Sequence, residues 1–226
     1  DTNMGTPSVP VTQYREEYVA AFEQDYSMLK IGTTRETVIK GNTAIFLVAG
    51  SGGETAVSRG SNGQIPYKTT SNSQKTATLI EKHAPFEMTG FDVFANQGPQ
   101  KLILMKSSAA VLHRDIDQVI IDLLDTATVS VAAATASLEH VVKAKVKLGN
   151  AEIPLWEEDN MFAAITPAFE AYLMQVAEFA KADYVDVKPF VGPAKKMRRW
   201  FGVNWIVHPN LTGVGTSSEK CYMWHS

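Results

Sequence analysis

The chain is poor in cysteine, with Cys221 as the single one among 226 residues. This excludes an intrachain disulfide framework. No apolar run approaches the roughly 18 residues that a membrane-spanning helix needs, so none is predicted. The first ten residues lack a basic start followed by an apolar run, so no signal peptide is predicted either. An excess of positive charge is also absent, because 21 Lys and Arg face 24 Asp and Glu. The formal net charge of -3 argues against a dedicated nucleic-acid binder.

The motifs of common enzyme chemistry are missing as well. The five histidines have no paired metal-ligand spacing, and no GxSxG elbow occurs. Residues 50–53 (GSGG) resemble a phosphate loop only in composition, because no Lys-Ser/Thr pair ends them. The triplet Glu157, Glu158 and Asp159 could supply carboxylates for acid–base chemistry or Mg²⁺, but adjacent loop carboxylates are usually solvated. We therefore predict no enzyme activity, no catalytic residue, no metal and no cofactor.

One long segment, residues 50–73, is polar and contains five of the glycines. Only Ile65, Pro66 and Tyr67 give it bulk, so it cannot bury much surface without a partner. Extended runs flank it at residues 43–48 and 76–80. This pattern predicts a long β-hairpin arm, with a flexible linker as the alternative.

A single apolar stripe predicts one helix over residues 99–127, roughly 45 Å long. Its members are Leu102, Met105, Ala109, Leu112, Ile116, Val119, Ile120, Leu123 and Leu124. The opposite side carries Lys106, Arg114, Asp117 and Asp122. We expect Ile116 and Leu123 to face the body of the protein and the two aspartates to face away.

The remaining chain alternates between helix and strand signals. An N-terminal helix is predicted over residues 13–30, and another over 136–148, where a strand is the alternative. Met161–Ile165 has the pattern of a buried strand, and Thr166 followed by Pro167 has that of a helix N-terminus. Three further strands are predicted at residues 184–191, 203–207 and 221–224.

A basic cluster with one tryptophan occupies residues 195–200. Lys195, Lys196, Arg198 and Arg199 could hold phosphates while Trp200 stacks a base. Pairing with the carboxylates of a neighbouring subunit is at least as good an interpretation of so small a cluster. A hydrolase using Glu157 or Asp159 is a third and weaker hypothesis.

The order of these parts resembles the major capsid proteins of tailed bacteriophages, with the Hong Kong 97 fold. The resemblance rests on the long helix containing residues 112–124 (LHRDIDQVIIDLL), followed by the small residues 126–137. It also rests on residues 179–185 (FAKADYV) and on 208–211 (HPNL). A cellular shell of the same fold, such as an encapsulin-like compartment, stays open.

The resemblance implies an α+β Hong Kong 97-like fold with four parts. These are an N-terminal arm (1–34), a peripheral domain (35–48 and 83–135) with a spine helix at about 98–127, an extended loop (49–82) and an axial domain (136–226). Relatives continue beyond a segment like residues 222–225, so we expect the chain to be incomplete at its C-terminus. Some relatives crosslink a loop lysine, but no motif singles out Lys68 or Lys75, so no crosslink is predicted.

The implied function is structural. Copies would form pentamers and hexamers of an icosahedral shell around double-stranded DNA, which they would touch without sequence specificity. Scaffolding, portal and decoration proteins are the other implied partners, with no membrane. The location would be the virion capsid, after assembly in the host bacterial cytoplasm. The predicted assembly contacts are Ile65, Tyr67, Lys68, Lys195, Lys196, Arg198 and Arg199. The alternative function is a small nucleic-acid-binding module using residues 195–200.

Overall fold

The computed structural model describes residues 24, 26–34, 41–50, 55–67, 71–90, 100–176 and 196–226. A 3-10 turn covers Leu29–Gly32. The helices are α1 (Gln100–Asp125), α2 (Leu138–Asn150) and α3 (Pro167–Met174). The strands are β1 (Thr43–Gly50), β2 (Ser71–Thr78), β3 (Met161–Ile165), β4 (Arg198–Trp200), β5 (Val203–Val207) and β6 (Tyr222–His225). The predicted α+β class is confirmed. The chain divides into a smaller unit of residues 34–82 and a larger one that contains residues 83–226.

The smaller unit is built on a two-stranded antiparallel ribbon. Strand β1 pairs with β2 along its whole length, from Thr43 opposite Thr78 to Gly50 opposite Ser71. Residues 55–67, between the strands, are extended or turn-like and exposed. The predicted β-hairpin arm is therefore confirmed, and the linker alternative is wrong for the paired strands.

The larger unit contains a four-stranded sheet in the order β4-β5-β3-β6. Strands β3 and β5 are parallel, whereas β6 and β4 run antiparallel to their neighbours. Every residue of β3 is buried, as expected of a central strand covered on both faces. The predicted strands at 161–165 and 203–207 are confirmed. The predicted strand at 184–191 lies outside the described residues.

Alternate residues of β3 serve two separate cores. Met161, Ala163 and Ile165 pack with Val141 of α2 and Leu173 of α3. On the other face, Phe162 and Ala164 belong to a cluster with Leu29, Ile121, Ile206 and Leu211. The sheet thus lies between the two shorter helices on one side and α1 with the 3-10 turn on the other.

Helix α3 begins as its sequence predicts. The Thr166 hydroxyl oxygen accepts a hydrogen bond from the Phe169 amide at 3.1 Å, and Pro167 occupies the first turn. Thr166 also donates to Glu219 Oε2 at 2.5 Å, which ties the helix to the loop before β6. Helix α2 is also confirmed, and the strand alternative there is wrong.

Helix α1 is unbroken over 26 residues, about 39 Å, which confirms the predicted spine helix. Its predicted orientation is wrong for Asp117 and Leu123, whereas Ile116 is half-buried. The most buried positions are Ala110, Asp117 and Ile121, whereas Leu123 is 70% exposed. Asp122 is exposed as expected. The prediction placed the apolar stripe against the body of the protein because apolar side chains are usually the buried ones. Instead, the face with Asp117 packs against the body, where hydrogen-bond donors surround its carboxylate.

The predicted N-terminal helix lies mostly outside the described residues. At its end, Tyr26–Met28 are not helical, and the 3-10 turn follows them. The prediction of helix up to residue 30 is therefore wrong. The cause is tertiary: the backbone amides of Met28 and Leu29 donate to a side chain of α1 rather than to a preceding turn.

Candidate assembly surfaces

The carboxylate of Asp117 joins three parts of the larger unit. It is 1% exposed and accepts hydrogen bonds from five donors. Four belong to the segment that leads into the 3-10 turn and to the first residue of the turn: Gln24 Nε2 at 2.5 Å, Ser27 Oγ at 2.5 Å, Met28 N at 3.0 Å and Leu29 N at 3.2 Å. The fifth is His208 Nε2 at 3.1 Å, which follows β5.

The chemistry of this junction is set by opposing effects on Asp117. Burial by itself raises the pKa of the carboxyl group, but hydrogen bonds from His208, Ser27, Met28 and Leu29 outweigh burial and hold the pKa well below its usual range. The Asn210 amide donates to His208 Nδ1 at 3.2 Å, so that nitrogen carries no proton and Nε2 is the donor to Asp117. The junction is thus a charge-assisted network that ties α1 to the 3-10 turn and to the residues after β5.

A second carboxylate of α1, Asp125, fixes the end of the helix. It accepts hydrogen bonds from Lys220 Nζ at 2.7 Å, Thr212 Oγ1 at 2.6 Å and Tyr222 Oη at 2.7 Å. These bonds, led by that of Lys220, lower the pKa of Asp125 to about 2. A negative charge at a helix C-terminus is unfavourable by itself, and these donors offset that cost.

An aromatic contact fastens the 3-10 turn to the sheet. Trp224 Nε1 donates to the Gly32 carbonyl at 2.7 Å, and the Trp224 ring stacks on Phe162 with centroids 6.0 Å apart. A Cβ atom on Gly32 would lie 2.8 Å from Trp224 Cζ2. The segment that leads out of residues 1–23 is therefore held by both Trp224 and Asp117.

The outward face of α1 is apolar, and we call it the spine stripe. Leu102, Met105, Val119 and Leu123 lie on it and are each between 51% and 70% exposed. Exposed apolar surface of this extent, kept on a rigid helix, is typical of a protein interaction surface.

The hairpin arm also exposes apolar side chains. Ile65 is 56% exposed and Tyr67 is fully exposed, so these two predicted contact residues are available to a partner. Lys68 lies outside the described residues. On β1, the consecutive side chains Ile45, Phe46, Leu47 and Val48 are all between 43% and 76% exposed. Because neighbouring strand residues point to opposite faces, β1 exposes apolar side chains on both faces of the ribbon.

The basic cluster is largely engaged within the chain. Arg198 forms an ion pair with Glu170, and Arg199 Nη2 lies 2.5 Å from Asp159 Oδ1. Lys196 Nζ lies 3.6 Å from the centroid of the Tyr26 ring. Lys195 lies outside the described residues. These pairings favour neither a phosphate-binding surface nor the nucleic-acid-binding alternative.

Asp117 and His208 were missed as structural centres by the reasoning from sequence. The available signal was the spacing of Ala110, Asp117, Ile121 and Asp125, which places them near one line along α1. The sequence analysis instead placed Asp117 with Asp122 on a solvated face, because the residues that donate hydrogen bonds to Asp117 come from distant parts of the sequence.

No group of three or more His, Cys, Asp or Glu side chains within the described ranges is placed to bind a metal ion. Among the helices in those same ranges, none is both long and apolar enough to cross a membrane.

Comparison with known proteins identifies the family. The chain belongs to the phage capsid protein family, whose model matches residues 7–226. No curated protein has a significantly similar sequence. The chain is thus a structural major capsid protein of the bacteriophage virion, and its matches imply self-assembly into a capsid shell.

Solved capsid structures have the same fold at low sequence identity. A structure from Mycobacterium phage Che8 matches all of this chain and 82% of its own, with a TM-score of 0.61 and 16% identity. The capsid of cyanophage P-SCSP1u matches 94% of this chain and 72% of its own, with a TM-score of 0.66 and 14% identity. The capsid of Ralstonia phage GP4 matches all of this chain and 82% of its own, with a TM-score of 0.62 and 10% identity. The capsid fold predicted from sequence is confirmed.

Proposed function

We propose that copies of this chain form pentamers and hexamers of an icosahedral shell, and that the hairpin arm secures each copy to a neighbour. The observation that carries this proposal is the exposure of apolar side chains on both faces of β1. A two-stranded ribbon is marginally stable in water by itself. The apolar side chains on both faces of β1 therefore favour an arm that is stabilised by a partner.

Burying the apolar side chains of the arm against a neighbour would contribute substantial free energy to the contact. Burying one large apolar side chain contributes about 1.5–3 kcal/mol. The arm offers four such side chains on β1, with Ile65 and Tyr67 nearer its tip. Strand β2 offers mainly polar ones, so the selectivity of the contact resides in β1 and the tip. A closed shell repeats this contact at every copy, which amplifies the loss of any one side chain.

We also propose the division into an N-terminal arm (1–34), a peripheral domain (35–48 and 83–135), an extended loop (49–82) and an axial domain (136–226). The pairing of Thr43 with Thr78 supports moving the base of the loop back to β1, because residue 49 lies inside that strand. The axial domain would then contain the four-stranded sheet with α2 and α3.

The proposal includes the partners that a phage shell implies. These are packaged double-stranded DNA, held without sequence specificity, together with scaffolding, portal and decoration proteins. Assembly would take place in the cytoplasm of the host bacterium. Membership of the capsid family supports each of these partners. The slightly negative net charge of the chain also supports DNA that is enclosed by the shell rather than tightly bound to it.

Shortening the arm tests its role. Replacing residues 51–70 with a short turn keeps both paired strands, so the subunit should stay folded and soluble yet fail to close normal shells. Tyr67→Ala should give a milder form of this defect, whereas Ser61→Ala at the exposed tip is the control. Electron microscopy of particles from cells making each variant is the measurement. Normal shells at normal yield from the shortened chain would show a passive loop.

We further propose that the chain has no catalytic activity and forms no covalent crosslink. Metal-dependent turnover that is lost in Glu157→Ala or Asp159→Ala would contradict the first statement. A denaturing gel of assembled shells tests the second. Bands larger than one chain that disappear in Lys68→Arg or Lys75→Arg would contradict it.

A further inference from the structure

The four tryptophans of the chain differ in exposure. Trp200 and Trp205 are buried and Trp224 is half-buried, whereas Trp156 is 80% exposed in the turn before β3. Leaving a whole indole in water forgoes one of the largest apolar contributions that a side chain can make. The packing of the sheet does not require Trp156, so its position points to a partner.

Phe201 is a second exposed aromatic residue, and its backbone is strained. Its φ of 57° and the φ of 67° at Gly202 place the whole two-residue connection between β4 and β5 in the left-handed region. Such turns favour Asn-Gly, and a bulky residue at the first position is an outlier. The ring is nevertheless 44% exposed rather than used to fill a core. Strain retained by an exposed side chain is a sign of function.

The two loops that carry these rings are tied together. Arg199 of β4 pairs with Asp159, three residues after Trp156. Lys145 Nζ lies 4.2 Å from the centroid of the Phe201 ring and donates to the Phe201 carbonyl at 2.7 Å. The aromatic residues are thus presented on fixed loops, which lowers the entropy cost of binding and is typical of interface hot spots.

We propose that Trp156 and Phe201 form an anchor that binds a second copy of this chain. The proposal deepens the shell assembly proposed above and rests on it. A second copy is the occupant because the chain itself carries a complementary surface. On α2, Val142 and Val146 are 38% and 52% exposed, in a helix whose outward side also carries lysines.

Charge favours the same pairing. The turn that carries the anchor includes Glu157 and also Glu158, which lies 3.7 Å from Arg199. The exposed side of α2 includes Lys147 and also Lys143, which pairs with Glu139 of its own helix.

The two surfaces belong to different elements. Lys145 of α2 contacts Phe201 within one chain, but Val142 and Val146 stay exposed, so the two surfaces do not cover each other. A contact between different surfaces of identical chains is head-to-tail, and such contacts form rings when the rotation between copies closes, as in the proposed pentamers and hexamers.

Truncating the anchor separates assembly from folding. Trp156→Ala should leave the melting temperature of the subunit unchanged, because the indole is exposed, and should lower the yield of shells about tenfold. Tyr172→Ala, which removes a half-exposed ring from α3, is the matched control and should assemble normally. Shells at parental yield from Trp156→Ala, or an equal defect in Tyr172→Ala, would overturn the proposal.

The strained turn gives an independent measurement. Phe201→Asn places a residue suited to the left-handed region, so the melting temperature should stay equal or rise while the shell yield falls. A lower melting temperature with unchanged shell yield would show that Phe201 serves only the fold.

Crosslinking tests the partner surface. In a Cys221→Ser background, Glu157→Cys combined with Lys147→Cys should give a ladder of multimers when shells are treated with a short bismaleimide. Glu157→Cys alone is the control and should give no ladder. Dimers only, or no crosslinks in intact shells, would overturn the head-to-tail contact. If the parent chain forms no shells at all, the proposed function fails instead, so the two failures are distinguishable.

Discussion

Five hydrogen-bond donors surround the carboxylate of Asp117. Replacing one of its oxygens with an NH₂ group would therefore place a donor opposite another donor and remove the negative charge. Asp117→Asn keeps the shape of the side chain but should lower the free energy of unfolding by about 3 kcal/mol or more, because buried hydrogen bonds to a charge are lost. Chemical denaturation of the isolated subunit is the measurement.

Asp122 of the same helix provides the control for that substitution. It is exposed and accepts one hydrogen bond, from Gln118 Nε2 at 2.7 Å, which an asparagine oxygen can also accept. Asp122→Asn should therefore change stability by no more than about 0.5 kcal/mol. Equal losses at both positions would mean that burial of Asp117 does not decide its contribution.

Asp125 makes stability depend on pH in a defined direction. Its folded pKa of about 2 lies below the usual value of about 3.9 for an unfolded chain, so its contribution is present above about pH 4. That contribution is lost as the pH falls from about 4 towards 2, because protonation then favours the unfolded chain. Urea denaturation of the parent and of Asp125→Asn should show a stability difference at neutral pH that shrinks in acid. A difference independent of pH would contradict this assignment.

At the scale of elements, α1 presents one side to the subunit and another to its surroundings. Ile121 is 1% exposed and Leu123 is 70% exposed, although only one residue separates them. Ile121→Ala should cost about 2–5 kcal/mol of stability, since it leaves a cavity in the core below the sheet. Leu123→Ala should leave stability within about 0.5 kcal/mol of the parent and reduce shell yield. Calorimetry of subunits and electron microscopy of particles check the two effects separately.

The same helix shows what the sequence predicts and what it does not. Local signals were sufficient for the existence of α1, for β3 and for the Thr166 cap, because each depends on neighbours in sequence. The side of α1 that faces the body depends on Ser27 and His208, which lie about 90 residues away from Asp117. An apolar stripe indicates burial somewhere, and in an assembling protein the partner can be another copy.

Of the candidate surfaces, one could be predicted from local sequence and another could not. The segment around Tyr67 could be predicted as an arm from its apolar-poor composition together with the extended runs on either side of it. Trp156 and Phe201 could not be distinguished from core residues, because aromatic side chains usually are buried. Only the packing of the sheet shows that their rings remain outside it.

At the scale of the whole molecule, the described surfaces fit a protein whose apolar area is completed by neighbours. The spine stripe, strand β1 of the ribbon and the pair Trp156 and Phe201 each expose large apolar side chains. Stability of the subunit depends instead on the two cores around β3 and on the carboxylates of α1. Substitutions can therefore separate folding from assembly, which is the basis of the experiments above.

The whole-molecule charge leads to a last prediction, which concerns DNA. Net charge is -3, and Arg198 and Arg199 already pair with Glu170 and Asp159. Non-specific DNA binders reach dissociation constants of roughly 10⁻⁴–10⁻⁶ M by neutralising phosphates. Unassembled subunits should bind duplex DNA at the weak end of that range or below it, as measured by filter binding.

A double variant makes this prediction decisive. Glu170→Gln with Asp159→Asn removes both partners of the arginines, so it should bind DNA more tightly, and its affinity should fall more steeply with salt. Tight, salt-dependent binding by the parent subunit would instead favour the nucleic-acid-binding interpretation of residues 195–200. Weak binding by both proteins would contradict this prediction and show that the cluster does not contact DNA even when the two carboxylates are neutralised.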